Sequence, residues 1–208
     1  METDGPFDLL ETMAFDPVEG IPLLDFHMAR MKESADALGF AFDRHAARNE
    51  LQAATFRLRE KSRVRLLASR RGNVAIEVRG HRTWPEAVMR VAVTRCPVAP
   101  DDWRLLHKTT ERSHYRAALE AGGTYEVLMT DADGYLTEGC FSNLFVERGE
   151  RLVTPPLARG LLPGVLRASL IAAGEAVEGD LRPYDLERGF FIGNASRGMV
   201  AAQLAGGR

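Results

Sequence analysis

Two segments of helical periodicity, residues 22–40 and 46–61, precede a chain that afterwards reads mainly as strands, and this order most constrains the fold. In the first segment Leu24, Met28, Met31, Ala35 and Leu38 fall on one stripe, and Gly39 stands where a helix should stop. In the second, Leu51, Ala54 and Leu58 form the inner face, and Lys61 falls in the last turn, where a cation suits the helix dipole. Strand-like runs follow at 64–68, 74–78 and 88–93, with Arg71-Gly72-Asn73 as a hairpin turn between the first two. Helices followed by an antiparallel meander predict a compact α+β unit. The segment Cys96-Pro97-Val98-Ala99-Pro100-Asp101-Asp102 then breaks the pattern and reads as a linker. The predicted organisation is a small N-terminal domain, 1–98, and a strand-rich C-terminal domain, 103–208.

The second half opens with a helix at 115–120, stopped by Gly122-Gly123, and a strand at 125–129. Asp131-Ala132-Asp133-Gly134 has strong turn chemistry. Strands are predicted near 135–137, 143–146, 152–154, 190–193 and 199–204. Pro163-Gly164 should open a helix that runs to Ala173, because proline suits a first helical turn.

Composition narrows the chemistry. The net charge of −2 gives no support to a nucleic-acid or membrane-surface partner. No apolar run is long enough for a bilayer, and the acidic start METDGPFDLL lacks the regions of a signal peptide. Cys96 and Cys140 are far apart and read as thiols in a reducing cytoplasm, and neither they nor the five histidines show metal-ligand spacing. Of 27 basic residues only Lys32, Lys61 and Lys108 are lysines, so a retained lysine is a candidate for a deprotonatable amine, which arginine cannot supply. Lys32 lies off the apolar stripe of its helix and Lys61 at a helix end, so neither needs a chemical explanation.

Lys108 stands in Leu105-Leu106-His107-Lys108-Thr109-Thr110, after the linker and before a helix. Partial desolvation there would make it nucleophilic; the alternative is a surface loop lysine. Glu138 falls among small and apolar residues of a strand-rich core, where a carboxylate needs a partner; a structural salt bridge is the alternative. Leu161-Leu162-Pro163-Gly164-Val165-Leu166-Arg167 brings a loop to a helix start, whose free amides suit an anion or simply cap a loop. Arg30 is expected to project away from the apolar stripe of the first helix, and Arg65, flanked by Leu66 and Leu67, to face a cleft or a carboxylate.

Together these segments resemble the class IV aminotransferases, the fold-type IV pyridoxal phosphate (PLP) enzymes, from Phe7 to Leu204. The resemblance rests on Phe7-Asp8-Leu9-Leu10-Glu11-Thr12-Met13 as an early strand, His27-Met28-Ala29-Arg30-Met31, Lys108-Thr109-Thr110, Thr137-Glu138-Gly139-Cys140-Phe141-Ser142-Asn143-Leu144-Phe145, Thr154-Pro155-Pro156, Leu162-Pro163-Gly164-Val165 and Phe191-Ile192-Gly193-Asn194-Ala195, in that order. It implies a two-domain fold-type IV enzyme with PLP held by Lys108 as a Schiff base. Glu138 would pair with the pyridine nitrogen. Arg30, the amides of Val165 and Leu166, and Asn194 would hold the phosphate, and Arg65, or more weakly Arg197, a substrate carboxylate. It also implies a homodimer and a small-molecule amino substrate.

Two departures shape the reading. The chain is short for the family, with almost nothing before Phe7, and the tyrosine that branched-chain enzymes carry shortly after the lysine is Ser113 here, the nearest tyrosine being Tyr115. The expectation is therefore 4-amino-4-deoxychorismate lyase, releasing pyruvate and 4-aminobenzoate for folate biosynthesis. The alternatives are an aminotransferase on D- or branched-chain amino acids, and a non-catalytic PLP- or carboxylate-binding protein.

Overall fold

The computed structural model describes residues 7–206, so the acidic start up to Pro6 lies outside the described residues. The chain divides into two compact units, Met1–Arg82 with His107–Glu111, and Thr83–Leu106 with Arg112–Arg208.

The first unit holds β1 (Leu9–Phe15), α1 (Leu24–Leu38), α2 (Arg44–Thr55), β2 (Ser62–Ala68) and β3 (Val74–Gly80). The strands form an antiparallel sheet in the order β1-β2-β3. Along β2 burial alternates: Val64, Leu66 and Ala68 face the core, and Arg63, Arg65 and Leu67 the other side. Met28, Met31 and Ala35 of α1 and Ala47 and Leu51 of α2 complete that core with Leu9, Met13 and Phe15 of β1. Gly39 ends α1 at φ 71°, a left-handed conformation that glycine adopts without steric cost. Asp43 caps α2, its Oδ1 accepting the amides of His45 and Ala46 at 2.8 and 3.0 Å. The 69–73 turn forms the predicted hairpin, with Gly72 at φ 88°. The far segment His107–Glu111 lies along β1: the Leu10 amide donates to the Lys108 carbonyl and the Thr110 amide to the Asp8 carbonyl, both at 2.9 Å.

The second unit holds β4 (Val88–Arg95), α3 (Trp103–Leu106), α4 (Ser113–Gly122), β5 (Glu126–Thr130), β6 (Leu136–Gly139), β7 (Asn143–Arg148), β8 (Arg151–Thr154), α5 (Val165–Ala172), β9 (Ala176–Glu178), β10 (Phe190–Asn194) and β11 (Gly198–Leu204). Its strands form one eight-stranded mixed sheet in the order β6-β5-β4-β11-β10-β7-β8-β9. The β4–β5, β4–β11 and β8–β9 pairs are parallel. Met89, Val91, Leu128, Leu144, Phe190 and Ile192 anchor its main core. Tyr115 and Ala118 of α4 pack with Val127, Met129 and Cys140 in a smaller one.

Three expectations are corrected. The run at 88–93 does not extend the β2–β3 hairpin; it becomes β4, deep in the second sheet between β5 and β11. The unit boundary therefore falls at residues 82–83 rather than at the Pro97–Pro100 break, and His107–Glu111 belongs with the first unit. The second helix ends at Thr55, so Lys61 lies just before β2, 3.3 Å from Asp16, rather than in a last helical turn. The short strand β9 and the helical turn α3 carry too few residues for a detectable period.

Candidate functional site

In the first unit the core face of β1 carries one acid, Glu11, 1% exposed. Its carboxylate accepts Arg30 Nε at 2.8 Å and Arg30 Nη2 at 2.6 Å, a two-pronged ion pair, and lies 2.6 Å from His27 Nδ1. His27 and Arg30 are three residues apart on α1, so one helix face brings both to the acid. Burial alone would raise the Glu11 carboxyl; Arg30 and His27 overcome that and hold it at about 2. Arg30 is thus buried, not turned to solvent as expected, because Glu11 offsets part of the cost of placing it there. The opposite ring nitrogen of His27, Nε2, is buried without a hydrogen-bond partner in the protein.

Lys108 is partly buried and its backbone is pinned to β1. Thr109 beside it is fully buried, and Thr110 Oγ1 accepts the Asp8 amide at 3.0 Å. His107 Nδ1 lies 3.1 Å from Ser34 Oγ, and partial burial lowers its pKa, favouring the neutral ring. Arg65 is directly opposite Glu77 on β3 and donates to it at 2.8 Å. It meets a carboxylate as expected, but that carboxylate belongs to the chain.

In the second unit Glu138 on β6 is 3% exposed. Its Oε1 accepts the Tyr115 hydroxyl at 2.6 Å and the Leu162 amide at 3.1 Å. That bond ties β6 to the loop before α5. Asn143 Nδ2 holds the same loop through the Leu162 carbonyl at 3.3 Å. The helix begins as predicted after Gly164, which offers no side-chain cap, so the first amides of α5 are available to an anion. A Cβ on Gly164 would stand 1.6 Å from Asn143 Oδ1, and one on Gly193 2.9 Å from Leu166 Cδ2, so glycine at both positions lets β7 and β10 approach that helix start.

The turn after Glu138 is organised by Glu126, an acid at 0% exposure. Its carboxylate accepts the amides of Val127, Cys140 and Phe141 and the Ser142 hydroxyl. Burial pushes its carboxyl up to about 7 against the pull of those donors. Asn194 donates to the Phe141 carbonyl at 2.8 Å and accepts the Ser196 and Arg197 amides, so its side chain braces this turn. Arg197 donates to the Tyr125 hydroxyl at 2.7 Å with its guanidinium 5.1 Å from the Trp84 ring centroid and 5.9 Å from that of Phe141.

The sequence does not single out Glu11, Tyr115 or Glu126 as site residues. A lone acid on the buried face of an otherwise apolar strand was the available signal for Glu11, and an acid opening Val127-Leu128-Met129 for Glu126. Among the described residues no group of three or more His, Cys, Asp or Glu side chains is placed to hold a metal, and no helix is long and apolar enough to cross a membrane.

A buried acid braced by a helix start, on a mixed sheet, with a strand-pinned lysine in a separate α/β unit, defines a fold-type IV architecture. The model of the family described as amino-transferase class IV matches residues 8–204, and the chain belongs to that PLP-dependent family. It is 28% identical over 180 residues to a Schizosaccharomyces pombe protein named "Putative aminodeoxychorismate lyase", covering 83% of this chain and 77% of that one. A Mesorhizobium loti structure named "Putative amino-acid aminotransferase" superposes with a TM-score of 0.88 at 33% identity, over 96% of this chain and 100% of that one. The 4-amino-4-deoxychorismate lyase of Pseudomonas aeruginosa superposes with a TM-score of 0.76 at 24% identity, over 95% of this chain and 82% of that one, a likeness of fold alone.

Proposed function

We propose that the chain is a PLP-dependent 4-amino-4-deoxychorismate lyase. The observation that carries the cofactor is Glu138, a buried carboxylate held by the Tyr115 hydroxyl and the Leu162 amide, the latter from the loop that opens α5. This donor set fits the cofactor: Glu138 is an acceptor for a protonated ring nitrogen, and the uncapped start of α5 suits a phosphate. Arg30, oriented by its two bonds to Glu11, would add a cation for the phosphate. Bound PLP supplies an electron sink for negative charge on the substrate. Lys108 Nζ would hold the cofactor, take the substrate proton and return one to the departing enolpyruvyl fragment. Burial lowers the pKa of His107 beside it, which disfavours a competing charge there. Arg197 retains donors beyond its bond to Tyr125 and would meet a substrate carboxylate, whereas Arg65 would have to loosen its Glu77 pair.

The lyase reading over the aminotransferase reading rests on Ser113 at the position of the branched-chain tyrosine and on the likeness to the Schizosaccharomyces pombe protein. The likeness to the Mesorhizobium loti protein favours the second reading, an amino-acid aminotransferase. The test is to supply 4-amino-4-deoxychorismate and measure 4-aminobenzoate fluorescence and pyruvate together. Equimolar release, absent in Lys108→Ala, is expected. Turnover that instead requires 2-oxoglutarate and an amino acid would replace the lyase with the aminotransferase.

A further inference from the structure

The position five residues after Lys108 is Ser113, exposed at the start of α4 and within 3.4 Å of Arg104 Nη1. The tyrosine two residues further on is buried, and it reaches a different target. Tyr115 is 4% exposed, and its hydroxyl donates to Glu138 Oε1 at 2.6 Å. We infer that Tyr115 is a positioning residue whose hydroxyl holds Glu138 as the acceptor for the cofactor's ring nitrogen, an inference that rests on the PLP reading above.

Three observations support a positioning role over simple core filling. Tyr115 and the Leu162 amide converge on the same oxygen, so Glu138 Oε1 is held by one donor from α4 and one from the loop before α5. The ring cannot swing away: it packs with Ala118, Val127, Met129 and Cys140, and the guanidinium of Arg112 lies 4.3 Å over it. Arg112 itself donates to the Cys140 carbonyl, in the turn that follows Glu138. A core that only needed an aromatic ring there would be served by phenylalanine, without bringing a phenol and a carboxylate together out of water.

The surrounding charges agree. Burial, and then the Glu138 charge, raise the Tyr115 phenol well above its usual range against the opposing pull of Arg112, which favours the protonated, donating phenol. Of the other titratable groups packed nearby, the Cys140 thiol is pushed up to about 12 by burial and then by the charges of Glu126 and Glu138. The His114 ring stands 3.9 Å from that of Tyr115. A donor on Glu138 favours its ionised form, which would keep the ring nitrogen of bound PLP protonated and so lower the pH at which the visible cofactor band titrates.

The test uses the holoprotein and two substitutions of opposite sense. Tyr115→Phe removes the donor and keeps the ring. It is expected to raise the pH midpoint of the visible cofactor band, to weaken PLP binding by about tenfold, and to lower kcat with KM little changed. Site-specific 3-fluorotyrosine at 115, a stronger donor of nearly the same shape, should move the midpoint the other way. In a Glu138→Gln background neither change should move it. Unmoved midpoints and PLP affinity in both variants, with only a lower melting temperature, would reduce Tyr115 to packing and overturn the inference. A wild-type protein that takes up no PLP, or keeps the lysine-linked band in Lys108→Ala, would defeat the cofactor reading and this inference with it.

Discussion

Glu11 and Glu126 are both buried, yet their surroundings move them in opposite directions. Burial raises both, but Glu11 has two cationic partners while Glu126 has only neutral donors. For Glu11 the folded value, about 2, lies below its ordinary 4.5, so its stabilisation is complete above 4.5 and is lost as pH falls towards 2. For Glu126 the folded value, about 7, lies above 4.5, so the folded state holds the proton more tightly and this group's contribution declines as pH rises from 4.5 to 7. Urea midpoints measured against pH should lose the acid limb in Glu11→Gln and the 4.5-to-7 limb in Glu126→Gln. Glu11→Gln should also cost about 3–5 kcal/mol at neutral pH, because it leaves Arg30 buried beside an uncharged amide. A cost under about 1 kcal/mol would mean that Arg30 escapes to water.

At the scale of elements, the α5 start shows how a local signal becomes a site. Pro163-Gly164 marks the helix boundary in the sequence, and α5 begins at Val165 with Gly164 as its N-cap and Pro163 one residue before the cap rather than in the first turn. The close approach of Asn143 is not visible locally, since it requires β7 to lie against the loop. Gly164→Ala tests it cleanly: Gly164 has φ −62°, so alanine suffers no backbone strain and only the 1.6 Å approach to Asn143 Oδ1 opposes it. The expected cost is about 1–3 kcal/mol in thermal unfolding, with weaker PLP binding as the Leu162 loop shifts. A variant with unchanged stability and affinity would show that the loop yields without consequence.

For the whole molecule, the decisive strand comes last in the chain. β11 lies between β4 and β10, so the second sheet is continuous only after residues 198–204 join β10, its immediate predecessor in the chain, to β4, about a hundred residues earlier. A chain ending at Arg197 is expected to leave β6-β5-β4 and β10-β7-β8-β9 as two fragments with unpaired edges. It should aggregate, or lack a cooperative melting transition by near-ultraviolet circular dichroism. A cooperative, PLP-binding truncation would show that β11 is dispensable.

The sequence alone determined what depends on near neighbours. Gly39 and Gly72 supply left-handed turns, Pro163-Gly164 opens a helix, and the order of Lys108, Glu138 and that helix start carries the family resemblance. Only the tertiary structure decided what depends on distant pairing. It moved β4 into the second sheet because its parallel neighbours, β5 and β11, follow it in the chain. It buried Arg30 because β1 carries Glu11, and joined Tyr115 to Glu138 because α4 packs against the sheet that contains β6. Periodicity reports which face of an element is apolar; the partner that a buried charge meets is set by which elements pack together, and no local window of sequence contains that information.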